Sequence, residues 1–323
     1  MTSTLARPPF DPELEAVLTL LGDQIPPSMT PEMIPVVREG MTSMTPGIDD
    51  LLADRPLTQH TVEIPGYRGD TIEVTVIRRT DHTGLGPEIY HTHGGGMVIG
   101  DRFAGIEPVL AWVEKHDAVA VTVEYRLAPE FPDPYPVEDS YAGLVWTARN
   151  AAELGIDASR LIVFGTSAGG GLAAGISLLA RDRRTPAIAG QVLQCPMLDD
   201  RDATVSTRQI EGVGVWDRNS NITGWSALLG DRRAGDDVSI YAAPARAVDL
   251  AGLPPAFISC GSAEVFRDED VAYASAIWAA GGQAELHVWP GGFHGSEMLA
   301  PHARISQQSN ENLDKWVARI LAA

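Results

Sequence analysis

The segment LIVFGTSAGGGLAAG, residues 161–175, sets one serine, Ser167, between glycines at 165 and 169 directly after an apolar run. A serine in this G-x-S-x-G setting, with a strand before it and a helix after it, occupies a sharp turn that lifts its hydroxyl clear of the sheet. Strand and helix cross closely there, so positions two residues to either side have little room for a side chain. Glycine fills both. The chemistry open to such a serine is nucleophilic attack on an acyl carbon. The N–H of Ala168, at the positive end of the following helix, is then a donor for the oxyanion that forms.

An activated serine also needs a base, an acid to orient that base, and further oxyanion donors. Donors are supplied by His93-Gly94-Gly95-Gly96, which follows the short strand pattern IYHT. With no side chains in the way, the N–H groups of Gly94 and Gly95 can approach a carbonyl oxygen closely. His93 reads as the residue that holds this loop. Acid and base follow the nucleophile in chain order after a serine elbow, which leaves His287, His294 and His302. His287 lies inside the alternating strand AELHVWP, and His302 sits near the start of the C-terminal helix. His294, on the glycine-rich loop PGGFHGSE, is the candidate base.

The acid should follow the preceding strand, in PPAFISCGSAEVFRDED. Glu264, just past that strand's last glycine, is the first choice and Asp268 the second, with Asp199 and Asp200 as outsiders. Asp268, Glu269 and Asp270 also suit the cap and first turn of the next helix, where carboxylates favour the helix dipole. His91-x-His93 is a rival metal pair, but no HExxH or CxxC cluster accompanies it. No metal and no cofactor is expected.

Near-continuous apolar runs (AVAVTVEYR, LIVFG, AGQVLQCPM, PAFISCG) read as strands covered on both faces, with helix-length stretches between them. That alternation predicts βαβ units and a mostly parallel, doubly wound α/β sheet flanked by helices. The strictly alternating TIEVTVIRR, residues 71–79, predicts a half-buried antiparallel edge strand. Ahead of it, Asp11-Pro12 and Thr30-Pro31 are helix starts, so residues 1–55 are expected to form cap helices before a catalytic domain at 56–323. Residues 199–236, with Trp216 and Trp225, break the alternation and read as a cap insertion. Cys195 and Cys260, each inside an apolar segment, read as buried structural thiols.

The formal net charge is -19 over 323 residues, and Lys115 and Lys315 are the only lysines. Nucleic acid is excluded as a partner, because a phosphate backbone is held by a basic stripe. The N-terminus lacks the pattern of a signal peptide, and no run is long enough to span a membrane. A cytoplasmic location is the expectation.

These residues together resemble the hormone-sensitive-lipase family of α/β-hydrolases, its bacterial esterases included. HGGG at 93–96 and YRLAPEFPDPYPVED at 125–139 match family segments. GTSAGG at 165–170 is similar to the branch with threonine where most members carry aspartate. The family's D-P-L-R-D-E segment falls on Glu264 to Glu269, so this chain has glutamate at the acid position, and Asp268 stays open as the alternative. The resemblance implies an α/β-hydrolase fold with a helical cap. It also implies hydrolysis of small, short-chain carboxylic esters through Ser167, Glu264 and His294, with Gly94, Gly95 and Ala168 as the oxyanion hole. A homodimer through the last strand is implied as well. A lactonase, amidase or acyltransferase would use the same triad. A non-catalytic ligand-binding protein on this fold would lack the histidine that stands here at 294.

Overall fold

Buried on both faces, the apolar runs pair mainly in parallel, and one sheet of eight strands results. The computed structural model describes residues 5–22, 26, 28–44 and 47–322. Its strands are β1 (Leu57–Pro65), β2 (Thr71–Arg79), β3 (Gly86–Thr92), β4 (Val119–Glu124), β5 (Ile156–Thr166), β6 (Gly190–Gln194), β7 (Ala256–Gly261) and β8 (Ala284–Trp289). They lie in the order β1-β2-β4-β3-β5-β6-β7-β8. The first two pairings, β1 with β2 and β2 with β4, are antiparallel. All the others are parallel.

The 71–79 strand is antiparallel but is not an edge. The 57–65 strand pairs along its whole length and takes the edge instead. Alternation in sequence reported one wet face, yet Thr75 on that face is buried, bonded to Thr61 Oγ1 (2.9 Å) and to Arg102 Nε (2.9 Å). A threonine–arginine cover of this kind has no apolar signature, so hydrophobic patterning alone misses it.

Two helix layers sandwich the sheet. Helices Tyr135–Arg149, Ala168–Arg183 and Arg267–Ala279 bury Val137, Leu144, Leu172, Ile176, Tyr273 and Ile277 on one face. Helices Glu107–His116 and Arg304–Leu321 cover the other, where Trp112 packs near Trp316 in a second apolar cluster. No helix among the described residues is long and apolar enough to cross a membrane.

Above the C-terminal ends of the strands lie two segments distant in sequence. The N-terminal helix Pro12–Leu21, capped by Asp11 (Glu13 N–H to Oδ1, 2.9 Å), buries Leu14 with Phe10 against Ala263, Phe293 and Ala300. Helix Arg218–Leu229, capped by Asp217, lies over the glycine-rich loop that follows β3: a Cβ on Gly224 would come within 2.8 Å of Gly96 O. Residues 28–29 are tied to the second of these, since Ser28 Oγ donates to Asp217 (2.6 Å) and Met29 N–H to Ser220 Oγ (2.8 Å).

Candidate active site

Ser167 caps the helix Ala168–Arg183 with φ 60° and ψ -123°, a conformation that a side-chain-bearing residue adopts only when its surroundings enforce it. They do so through the backbone: Ser167 N–H donates to Gln194 O (2.8 Å), and its carbonyl accepts from Met197 N–H (2.9 Å) and Gly171 N–H (3.0 Å). Close packing accounts for the glycines. A Cβ at 165 would stand 2.1 Å from Gly169 O, and one at 169 would stand 2.0 Å from Thr92 O.

Parallel pairing brings the C-terminal ends of β5, β7 and β8 into one row, and the loops beyond them converge. His294, five residues past β8, places Nε2 2.9 Å from Ser167 Oγ. On the other side of the ring, Nδ1 lies 3.5 Å from Glu264 Oε1. Glu264 is 1% exposed, and its second oxygen accepts the Gly261 N–H (3.0 Å), which fixes the carboxylate. Phe266 meets the His294 ring edge-on at 5.1 Å.

The other candidates point elsewhere. Asp268 accepts from the Ser206 N–H (2.8 Å) and pairs with Arg267 (2.8 Å), so it holds the 205–209 helix rather than the imidazole. Asp199 is taken by Arg201 and Asp200 by Arg246. His287 sits beside Glu285 on β8, and His302 is exposed.

The glycine-rich loop abuts the serine: a Cβ on Gly94 would lie 3.5 Å from Ser167 Cβ. No acceptor among the described residues takes the backbone N–H of Gly94, Gly95 or Ala168. Beneath the loop, the His93 ring stacks on Tyr125 at 4.1 Å, and Tyr125 OH donates to His93 O (2.8 Å). Burial pushes His93 down to about 4, which keeps the ring neutral, and its Nδ1 donates to Gly94 O (2.7 Å). His91 is held by Thr122 Oγ1 (2.9 Å), and burial pushes it down to about 3.

Two features, the roles of Glu269 and Cys195, escaped the sequence reading, and Trp216 was read only as part of the insertion. The Trp216 ring lies on Gly96, where an added Cβ would meet it at 2.2 Å. Glu269, buried, accepts the N–H groups of Leu198 and Asp199 (2.8 and 3.0 Å) and so shapes the loop beyond β6. Cys195 is buried as expected, but it lies beside Glu264 and His294. Only the tryptophan gave a signal, as an aromatic in a polar insertion.

Residues 89–298 match the sequence profile of a family described as the alpha/beta hydrolase fold. Carboxylesterase NlhH of Mycobacterium tuberculosis is 35% identical over 301 residues, with 90% of each chain covered. Among solved structures, a bacterial heroin esterase superposes with a TM-score of 0.88 at 38% identity, over 97% of this chain and 98% of that one. Esterase LipW from Mycobacterium marinum does so with a TM-score of 0.86 at 31% identity, over 98% and 99% of the two chains.

Proposed function

This chain belongs to the α/β-hydrolase fold family and is a carboxylic ester hydrolase, and from that premise we propose that it is a serine esterase of short-chain esters. The observation that carries the reading is the 2.9 Å contact between Ser167 Oγ and His294 Nε2 at a strained elbow, with Glu264 facing the opposite ring nitrogen.

His294 Nε2 takes the hydroxyl proton as Ser167 Oγ bonds to the ester carbon, and Glu264 faces the imidazolium that forms. The carbonyl oxygen becomes an oxyanion, received by the free N–H groups of Gly94, Gly95 and Ala168. Collapse of this intermediate breaks the bond to the alcohol oxygen, which leaves with the proton from His294. Water then attacks the acyl-enzyme, giving its proton to His294. Collapse of the second oxyanion intermediate frees the acid and returns the proton to Ser167. Short acyl groups are the part of this reading carried over from the resemblance to the bacterial esterases of the family.

Hydrolysis of p-nitrophenyl esters from acetate to dodecanoate tests the reading. Turnover confined to the short esters and abolished by Ser167→Ala is the expected result. Activity that survives in Ser167→Ala overturns it.

A further inference from the structure

Cys195 follows the last residue of β6 with φ 36°, a left-handed backbone that a non-glycine residue keeps only when it is enforced, here by its N–H bond to Ser259 O (2.6 Å). The result is an uncommon grouping. The Cys195 thiol, a carboxylate oxygen of Glu264 and a ring nitrogen of His294 all lie within 4.8 Å of one another, and all three residues are buried. Glu264 Oε1 and His294 Nδ1 face each other at 3.5 Å, and neither has a hydrogen-bond partner within the protein. Thiolate, imidazole and carboxylate are the three donor types that zinc takes. With zinc–ligand bonds of about 2.0–2.3 Å, tetrahedral donors stand roughly 3.3–3.8 Å apart. The nitrogen–oxygen pair already has that spacing, and the sulfur needs to move by about 1 Å at most.

We propose that Cys195, Glu264 and His294 form an inhibitory site for a soft divalent cation, zinc or cadmium, in the heart of the catalytic apparatus. Binding exchanges protons in a defined way. The thiol releases its proton to solvent and bonds to the metal as thiolate, and Glu264 Oε1 bonds as carboxylate. His294 gives the metal its Nδ1 lone pair, so the proton from Nδ1 moves to Nε2 and the ring stays neutral. One proton leaves per ion bound. With hydrogen on Nε2, the ring has no lone pair for the Ser167 hydroxyl, and the base is switched off while the metal stays. Because cysteine binds a metal only as thiolate, a cation able to pull the proton off is required. Hard ions such as magnesium, which prefer oxygen, do not meet that requirement.

The inhibition rests on the serine-esterase reading, whereas the binding does not, and the test separates them. Cadmium is titrated into the full-length protein and into Cys195→Ala and Cys195→Ser, with ester hydrolysis and the ultraviolet thiolate-to-cadmium absorption followed together. The expected result is one absorbing thiolate–cadmium unit per chain in the parent protein, with activity lost in step and restored by EDTA, and no response to magnesium. Both variants lose the absorption, and half-inhibition needs at least about tenfold more cadmium. Because serine conserves the thiol's size, it keeps the comparison open if alanine disturbs folding. Absorption without inhibition in an active enzyme overturns the proposal, as does equal inhibition of the parent and both variants. Absorption in a chain that hydrolyses no ester supports the site and counts against the esterase reading instead.

Discussion

Replacing Glu264 by glutamine separates what its charge does from what its shape does. The side chain keeps its length, and its amide oxygen can still accept the Gly261 N–H that now reaches Oε2 at 3.0 Å. What disappears is a negative charge 3.5 Å from His294 Nδ1, in a pair whose side chains are 1% and 9% exposed. When the imidazole takes the serine proton, that separation and an effective dielectric near 20 give an attraction of about 4.7 kcal/mol. At about 1.36 kcal/mol per decade, Glu264→Gln therefore lowers kcat/KM by roughly three orders of magnitude. Asp268→Asn serves as the companion. Its carboxylate is committed to the Ser206 N–H and Arg267, so the loss should stay within a few-fold. The assay is kcat/KM on p-nitrophenyl butyrate at one pH, with urea unfolding of each variant to show that the fold is intact. A Glu264→Gln enzyme keeping more than about a tenth of its activity would refute the electrostatic argument. So would an Asp268→Asn enzyme that falls as far.

Two further outcomes follow from buried groups. Glu88, in the middle of β3, has neither carboxylate oxygen bonded, and burial pushes its carboxyl up to about 8 from 4.5. The folded chain thus holds a proton that the unfolded chain releases, and stability falls as pH rises from about 4.5 to about 8, by nearly 5 kcal/mol in all. Glu88→Gln removes this dependence. In urea titrations its stability relative to the parent should improve by about 3–4 kcal/mol between pH 5 and pH 8, and an equal difference at both pH values would sink the argument. Gly96→Ala places a Cβ 2.2 Å from the Trp216 ring at φ 62°, so the glycine-rich loop must shift and kcat/KM should drop at least about tenfold. Trp216→Ala in the same chain relieves the collision and should restore part of the loss in a double-mutant cycle, whereas simple additivity would assign the defect to backbone strain.

Much of this molecule was legible in its sequence because the relevant signals are local. The apolar runs at β4 to β7 could be satisfied only by a sheet covered on both faces, and glycine at 165 and 169 could be demanded only by a crossing too tight for a Cβ. Ser167 and His294 were identifiable by type and by neighbours, since each sits on a glycine-lined turn after a strand. The edge of the sheet was misread, because Thr75 is buried by polar partners that carry no periodic signal.

Sequence put Glu264 ahead of Asp268, and where each side chain points belonged to the tertiary structure. Glu264 and Asp268 are four residues apart across a turn that becomes helix at Arg267, and the direction of each side chain depends on how β7 registers against β8 and on what the 205–209 segment supplies. Sequence could set out the candidates but not aim them. The same holds for Cys195, one apolar-flanked thiol among two, which only the convergence of β6, β7 and β8 puts beside Glu264 and His294. Residue type and spacing determine which reactive groups a chain has and which turns can carry them. Which of those groups meet is decided by the order in which the strands pair, which brings Ser167 and His294 together across 127 residues, where no local pattern reaches.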